Sequence, residues 1–423
     1  MTRLSVMLGL ELPLLQAGMG AVAGPALCAA VSRAGAGGTL ALYKEPPERA
    51  VRLVREVAAA TDGRPFGVNV IPEVTGPARC LEQLRAVLPG LPRNGFVTSF
   101  GLPADDAARA VRAAGLPLVV QVGTLADAGT ALARGADVLV LQGTEAGGHL
   151  LGGQPVDLLL AAVRDRHPYA VLAVAGGTAT GGDLADAVAS GADGAMAGTL
   201  FVPAVESDAH PEFKRRVVEA VAEDTLVTSL FDIGWPHRPH RVLRNSLTAT
   251  AQRGPATFIA TTRVDGRRYP VPRYSAAAPG AATTGRVEEM AMYCGRSCAR
   301  VTAPHPAAVT VARIRQEYED ARAARAASRT STRARPELRT GSRRVDMDDV
   351  TKPIVDWLRE RNPTVGDIPE DLDLIESRLI DSLGFMEFIL LLEDLIGREL
   401  SLDRIDVNQF RTLRALTDNF LKG

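Results

Sequence analysis

Val138-Leu139-Val140-Leu141-Gln142-Gly143-Thr144-Glu145-Ala146-Gly147-Gly148-His149 is the stretch that decides the fold. Its first four residues are apolar without interruption, as in a strand buried on both faces of a parallel sheet. The polar, glycine-rich turn that follows is what such a strand carries where ligands bind. Runs of the same kind occur at Leu12–Ala17, Thr39–Tyr43, Pro65–Val70, Gly95–Ser99, Leu118–Val122, Val171–Ala175 and Gly194–Ala197. Between them Pro47–Ala60, Ala104–Ala114, Leu125–Ala133 and Gly182–Ser190 are Ala-rich and read as helices. Eight strands in simple alternation with helix-sized segments predict an α/β fold, a (β/α)8 TIM barrel, in preference to a doubly wound sheet.

Outward from the barrel, residues 208–285 turn helical and then irregular, with Pro236, Pro239, Pro255, Pro270, Pro272 and Pro279. They read as a small insertion beside the barrel mouth, able to cover a ligand. A helix over Ala307–Ala327 then returns to close a barrel domain spanning 1–327. Residues 328–345 are Arg, Ser and Thr with almost no apolar content, the composition of a flexible linker. Residues 346–423 read as a separate, helical and acidic domain, with 18 Asp/Glu against 9 Lys/Arg. That segment carries −9, so a total of −1 leaves +8 on the rest of the chain. An acidic tail on a basic body favours electrostatic docking on that body or on other basic enzymes. The dispersed positive charge, lacking a groove-reading motif, argues against nucleic acid.

The four cysteines, Cys28, Cys80, Cys294 and Cys298, are too scattered for a disulfide framework, and Cys294-x-x-x-Cys298 lacks a second ligand pair, so no metal is expected. No apolar run reaches the ~18–20 residues of a membrane span. The N-terminal apolar stretch contains Glu11 and no small-residue cleavage site, so it reads as a first strand and not as a signal peptide. The expected location is the cytoplasm.

Three glycine-rich segments fall at expected strand ends: Gln142–His149, Ala175-Gly176-Gly177-Thr178 and Ala197-Gly198-Thr199. The loops after the last two barrel strands are the usual phosphate site of such barrels, although tight turns alone also use glycine. Together with Leu14-Leu15-Gln16-Ala17-Gly18-Met19, Pro65-Phe66-Gly67-Val68-Asn69, Gly234-Trp235-Pro236 and His240-Arg241-Val242-Leu243-Arg244-Asn245, these segments resemble the nitronate monooxygenase (2-nitropropane dioxygenase-like) flavoenzymes over about residues 10–320. The resemblance implies an FMN-dependent oxidoreductase with FMN held around Gln16, Gly18, Met19, Asn69, Gln121, Gln142, Gly147 and Gly148. Gly176, Gly177, Gly198 and Thr199 would take the FMN phosphate. His149 would be the catalytic base, removing a carbon-bound proton beside an electron-withdrawing group, a task suited to a pKa near working pH. Hydrogen bonding to flavin or loop backbone alone is the alternative for His149. His237 and His240 are the other histidines expected at the mouth. Gly18 stands where the family usually has proline, Thr178 where it often has isoleucine, and Leu150 where many members have arginine. A related branch sharing the Ala-Gly-Gly-His loop, the NAD(P)H-using enoyl-carrier-protein reductases, is therefore a rival.

Near the C-terminus, Leu379-Ile380-Asp381-Ser382-Leu383-Gly384 opens a run with Phe385, Met386, Phe388, Ile389, Leu391, Leu392 and Leu395 at helical spacing. A serine there is by itself a plain helix N-cap. With Trp357 in a first helix and Phe410-Arg411-Thr412 before a last one, residues 347–423 resemble acyl or peptidyl carrier proteins. The resemblance implies a three- to four-helix bundle with 4′-phosphopantetheine on Ser382, and Glu387, Glu393 and Asp394 read by partner enzymes. It also implies a phosphopantetheinyl transferase, an acyl- or aminoacyl-activating enzyme and other biosynthetic enzymes as partners. The expected function is nitronate monooxygenase-like oxidation of a small or carrier-tethered substrate in specialised-metabolite biosynthesis. The alternatives are enoyl-carrier-protein reduction and a non-catalytic barrel that docks the carrier.

Overall fold

In the computed structural model, residues 1–42, 45–250 and 252–333 are described, with 353–359, 368–374, 377, 379, 388, 391–392, 395–396 and 407–421 nearer the C-terminus. The chain divides into two compact units, Met1–Ala334 and Arg335–Gly423.

Eight parallel strands form the first unit's frame: β1 (Leu14–Gln16), β2 (Gly38–Ala41), β3 (Phe66–Val70), β4 (Phe96–Phe100), β5 (Leu118–Val122), β6 (Val138–Gln142), β8 (Val171–Ala175) and β9 (Gly194–Ala197). They pair in the order β1-β9-β8-β6-β5-β4-β3-β2. A parallel bridge between Leu15 and Gly37 brings the two edge strands together, so the sheet is an eight-stranded barrel. Because strand side chains alternate, each apolar run serves two cores at once. Leu15, Phe96, Val119, Val138, Val140, Ala173 and Met196 fill the barrel. Their neighbours Leu14, Val97, Val120, Leu139, Leu141, Leu172 and Ala195 face the helices. That double burial is why the strands read as unbroken apolar runs.

The expected helices Pro47–Ala60 and Leu125–Ala133 form with those bounds, and the other two as Asp105–Ala113 and Gly181–Ala189. Tyr43, the end of one expected strand, lies outside the described residues. The N-terminus departs from expectation. Arg3–Leu8 is a helix, begun by Thr2, whose hydroxyl accepts the Ser5 N–H, and ended by Gly9 in the left-handed region. Leu4 and Leu8, one helical turn apart, join the barrel's inner core and plug it.

The helix Ala307–Arg333 buries Val311, Ile314 and Tyr318 against the barrel's outer layer and runs six residues into the stretch expected as linker. Its contact with Gly181–Ala189 is close: a Cβ on Gly181 would stand 2.2 Å from the Tyr318 nitrogen and 2.3 Å from the Ile314 oxygen. Backbone cannot swing aside as a side chain does. Gly181→Ala is therefore expected to lower stability by about 1–3 kcal/mol, read as a fall in the urea midpoint with unchanged slope.

Where residues 208–285 read as irregular after a helix, the chain forms Pro211–Glu219 and then two small antiparallel sheets. One pairs β10 (Thr225–Thr228), β11 (His240–Leu243) and β7 (Gly148–His149). The other pairs β12 (Phe258–Val264), β13 (Arg267–Pro272) and β14 (Thr284–Gly285). The β12–β13 hairpin turns at Asp265-Gly266, both with positive φ, as a two-residue turn of the primed kind requires.

In the second unit, residues 353–359 are helical, and Leu413–Leu416 is a helical turn capped by Thr412. Ile354, Leu358, Leu374, Phe388, Leu392, Phe410 and Leu416 share a core there. Arg411 pairs with Asp373 at 3.1 Å, tying two loops of the unit. Ser382, Glu387, Glu393 and Asp394 lie outside the described residues, as does most of the expected linker. Among the described residues no helix is long and apolar enough to cross a membrane, and no cluster of His, Cys, Asp and Glu could hold a metal ion.

Candidate active site

The C-terminal ends of the barrel strands surround a cavity of about 560 Å³, within the ~300–1,000 Å³ of small-molecule sites. Gly18 and Met19 follow β1 on its wall, Asn69 stands in β3, Gln121 in β5 and Gln142 at the end of β6. Gly147, Gly148 and His149 come next, then Gly176 and Gly177 after β8 and Gly198 and Thr199 after β9. Gln16 is the exception. Its side chain is fully buried, donating to the Ala17 carbonyl and accepting the Thr39 N–H at 2.9 Å, and it does not line the cavity. It ties β1 to β2 and helps close the barrel. His240, expected at the mouth, is wholly buried, and neither it nor His237 lines the cavity.

His149 owes its position to backbone. β7 pairs with β11, setting His149 opposite His240. The Gln142 side chain spans the loop, donating to the His149 carbonyl at 2.9 Å and accepting the Leu151 N–H at 2.8 Å. Arg241 reaches across from β11 to donate twice to the Thr144 carbonyl, at 2.9 and 2.8 Å. The imidazole stacks on Trp235, centroids 3.7 Å apart and planes 17° from parallel, with Tyr293 at 5.1 Å. Its Nε2 is buried without a hydrogen-bond partner.

Desolvation pushes the His149 pKa down to about 3, with smaller contributions from His240 and Arg238. His240 is lowered too, first by burial. Its Nε2 accepts the Phe231 N–H, so Nδ1 carries the hydrogen and donates to the Arg238 carbonyl at 2.9 Å. Both imidazoles are thus neutral at pH 7, and a base near working pH, the expectation from the sequence, is not what this pocket holds. A buried His favoured as neutral makes the folded chain bind fewer protons than the unfolded one between about 3 and 6.5. Stability from this group is present above 6.5 and falls away as pH drops through that window. His149→Gln removes the titration, so its denaturation midpoint relative to wild type is expected to rise steadily from pH 7 to pH 4.

FMN is the group that the resemblance implies here. Gly176 and Gly177 have φ of 121° and 83°, which only glycine adopts readily, and a Cβ on Gly176 would meet the Ala146 nitrogen at 3.0 Å. Backbone therefore lines the cavity at the β8 end, where a phosphate can be approached closely. The Asn69 carbonyl oxygen accepts from Thr98 at 2.8 Å, leaving its amide hydrogens as donors on the wall. His149, with no hydrogen-bond partner at Nε2, lines the same cavity. These residues fit FMN. Trp235, Tyr293 and Arg241 were not singled out as site residues from the sequence. The Gly234-Trp235-Pro236 segment carried a signal for the first, while nothing local marks Tyr293.

Comparison with known proteins agrees with this geometry. The family model "Nitronate monooxygenase" matches residues 1–317. A dehydrogenase of Mycobacterium tuberculosis named for (3aS,4S,5R,7aS)-5-hydroxy-7a-methyl-1-oxo-octahydro-1H-indene-4-carboxyl-CoA is 34% identical over 272 residues, 63% of this chain and 73% of the relative. A nitronate monooxygenase of Pseudomonas aeruginosa is 32% identical over 271 residues, 53% of this chain and 76% of its own length. Among solved structures, FabK from Thermotoga maritima superposes with a TM-score of 0.65 at 25% identity, covering 78% of this chain and 99% of FabK. With a flavin-fitting cavity at the strand ends of a barrel that the family model spans almost entirely, the chain belongs to the nitronate monooxygenase family and is an FMN-dependent oxidoreductase.

Proposed function

We propose that the barrel oxidises a small or carrier-tethered substrate whose reacting C–H lies beside an electron-withdrawing nitro or thioester group. In this reading Ser382 carries 4′-phosphopantetheine, and the chain serves specialised-metabolite biosynthesis. The observation that carries it is the His149 imidazole, which lines the cavity, is held neutral and has an Nε2 without a hydrogen-bond partner. A neutral imidazole already has the lone pair that a base needs. The proton it gains is stable only while the substrate's new negative charge stays beside it, because the pocket gives the imidazolium no other partner. Trp235 fixes the ring plane, and Gln142 fixes the loop, so the imidazole is held in place before substrate arrives. Bound FMN supplies the two-electron acceptor. A relative named for a carboxyl-CoA supports a thioester substrate.

The enoyl-reductase reading draws on the likeness to FabK, an enoyl reductase. Against it stands the neutrality of His149, which suits removal of a proton better than its delivery. Anaerobic stopped-flow absorbance with NADH and NADPH added separately tests the choice. Flavin indifferent to both nucleotides but bleached by a nitroalkane or thioester supports oxidation. Bleaching by NAD(P)H within seconds would overturn it in favour of reduction. Intact mass after incubation with a phosphopantetheinyl transferase and coenzyme A tests Ser382: one pantetheinyl adduct is expected, absent in Ser382→Ala.

A further inference from the structure

The β12–β13 hairpin borders the cavity through Thr262, Arg263, Val264 and Val271. Its ladder sets Arg263 directly opposite Arg268, and Val264 opposite Arg267. Like charges facing each other across an antiparallel pair are destabilising, so such a pair calls for an anion. Among the described residues, Arg263 meets only the Gly266 carbonyl, at 3.5 Å, and Asp265 is the acid nearest the turn. The tip's acid, Asp265, is engaged by Arg49 and Arg52, and Glu45 by Arg49. Among the described residues no ion pair reaches Arg263, Arg267 or Arg268, and all three are exposed. Five arginines against two acids leave three positive charges in excess at this edge of the cavity.

We infer that this hairpin binds the phosphate of a phosphopantetheine thioester while the acyl end enters the cavity. The inference rests on the thioester form of the reading above. A phosphate takes several N–H donors at once, and guanidinium forks match its oxygens better than ammonium groups do. Two exposed arginines held in register by a ladder are already placed for one anion. Coenzyme A and a carrier arm share this phosphate, so the site recognises either.

Calorimetry on the full FMN-loaded chain carrying Ser382→Ala, which leaves no arm of its own to compete, compares pantetheine, 4′-phosphopantetheine and coenzyme A. About tenfold or tighter binding of 4′-phosphopantetheine over pantetheine is expected, collapsing toward equality in Arg263→Gln/Arg267→Gln/Arg268→Gln. Coenzyme A binding better still would mark the free thioester as the source. Equal binding of coenzyme A and 4′-phosphopantetheine would mark the phosphate that a carrier presents. FMN content of the variant checks that the barrel is intact. Equal affinity for pantetheine and 4′-phosphopantetheine, discrimination that survives the triple substitution, or no binding of any probe would overturn the inference. Failure of the oxidative reading looks different: no thioester or nitroalkane turns over, whatever the binding preference.

Discussion

His149→Ala is expected to slow flavin reduction by its substrate by about 10²–10⁴-fold while leaving FMN bound. The separation follows from how the residue is held. His149 is positioned by its backbone, through pairing with His240 and the bond from Gln142 to its carbonyl, and alanine keeps both. Its Nε2 makes no hydrogen bond within the protein, so removing it orphans no other group. What disappears is the stacking on Trp235 and an imidazole that lines the cavity. His149→Gln, closer in volume, serves as the companion variant and is expected to be equally slow. Flavin content by absorbance and reduction rate by anaerobic stopped flow separate the two effects. Unchanged rates in both variants would remove His149 from the base role. With burial holding the wild-type pKa near 3, the acid limb of the pH–rate profile is expected well below the ordinary histidine range.

The barrel was legible from the sequence for a definite reason. Runs such as Val138–Leu141 and Val171–Ala175 are buried on both faces, one set of side chains filling the barrel and the alternate set meeting the helices. Apolar character there is continuous and needs no tertiary information to read. The N-terminal helix was misread because its apolar residues also suit a strand. The deciding marks were the Thr2 cap, the Gly9 stop and the Leu4–Leu8 spacing. Asp265-Gly266 is a legible hairpin signal within the proline-rich segment, since it sits between Thr- and Val-containing flanks. Most cavity residues were named from the resemblance, because they lie on glycine-rich strand ends. Gln16 was misplaced because a polar residue at a strand end can turn either to a ligand or to its own barrel, and only the fold shows that it accepts from Thr39. The lowered pKa of His149 was likewise invisible, since burial by Trp235 comes from a segment 86 residues away in the chain.

Gly147→Ala is expected to weaken FMN binding roughly 10- to 100-fold and to disorder the His149 loop, although it adds a single methyl group. A Cβ at this position would lie 2.5 Å from the Gly295 nitrogen and 2.6 Å from the Cys294 carbonyl carbon. Both are backbone atoms, and both are anchored: Gly295 N–H donates to the Thr199 hydroxyl at 2.9 Å, and the Cys294 N–H is bonded to Arg241. Moving them disturbs Thr199 on the cavity wall, while moving Gly147 instead drags Gly148 and His149 with it. Either adjustment falls on the site, at an overpacking cost of about 1–3 kcal/mol, which corresponds to the expected loss of affinity. Gly153→Ala is the control: a Cβ there meets nothing within 4 Å and its φ is ordinary. Titration of the apoprotein with FMN, followed by flavin fluorescence, reads both variants. Weak binding in Gly147→Ala with wild-type binding in Gly153→Ala would show that the glycine-rich loop holds FMN through close backbone contact. Equal affinities would mean that the loop yields easily and that the cofactor is held by other parts of the cavity.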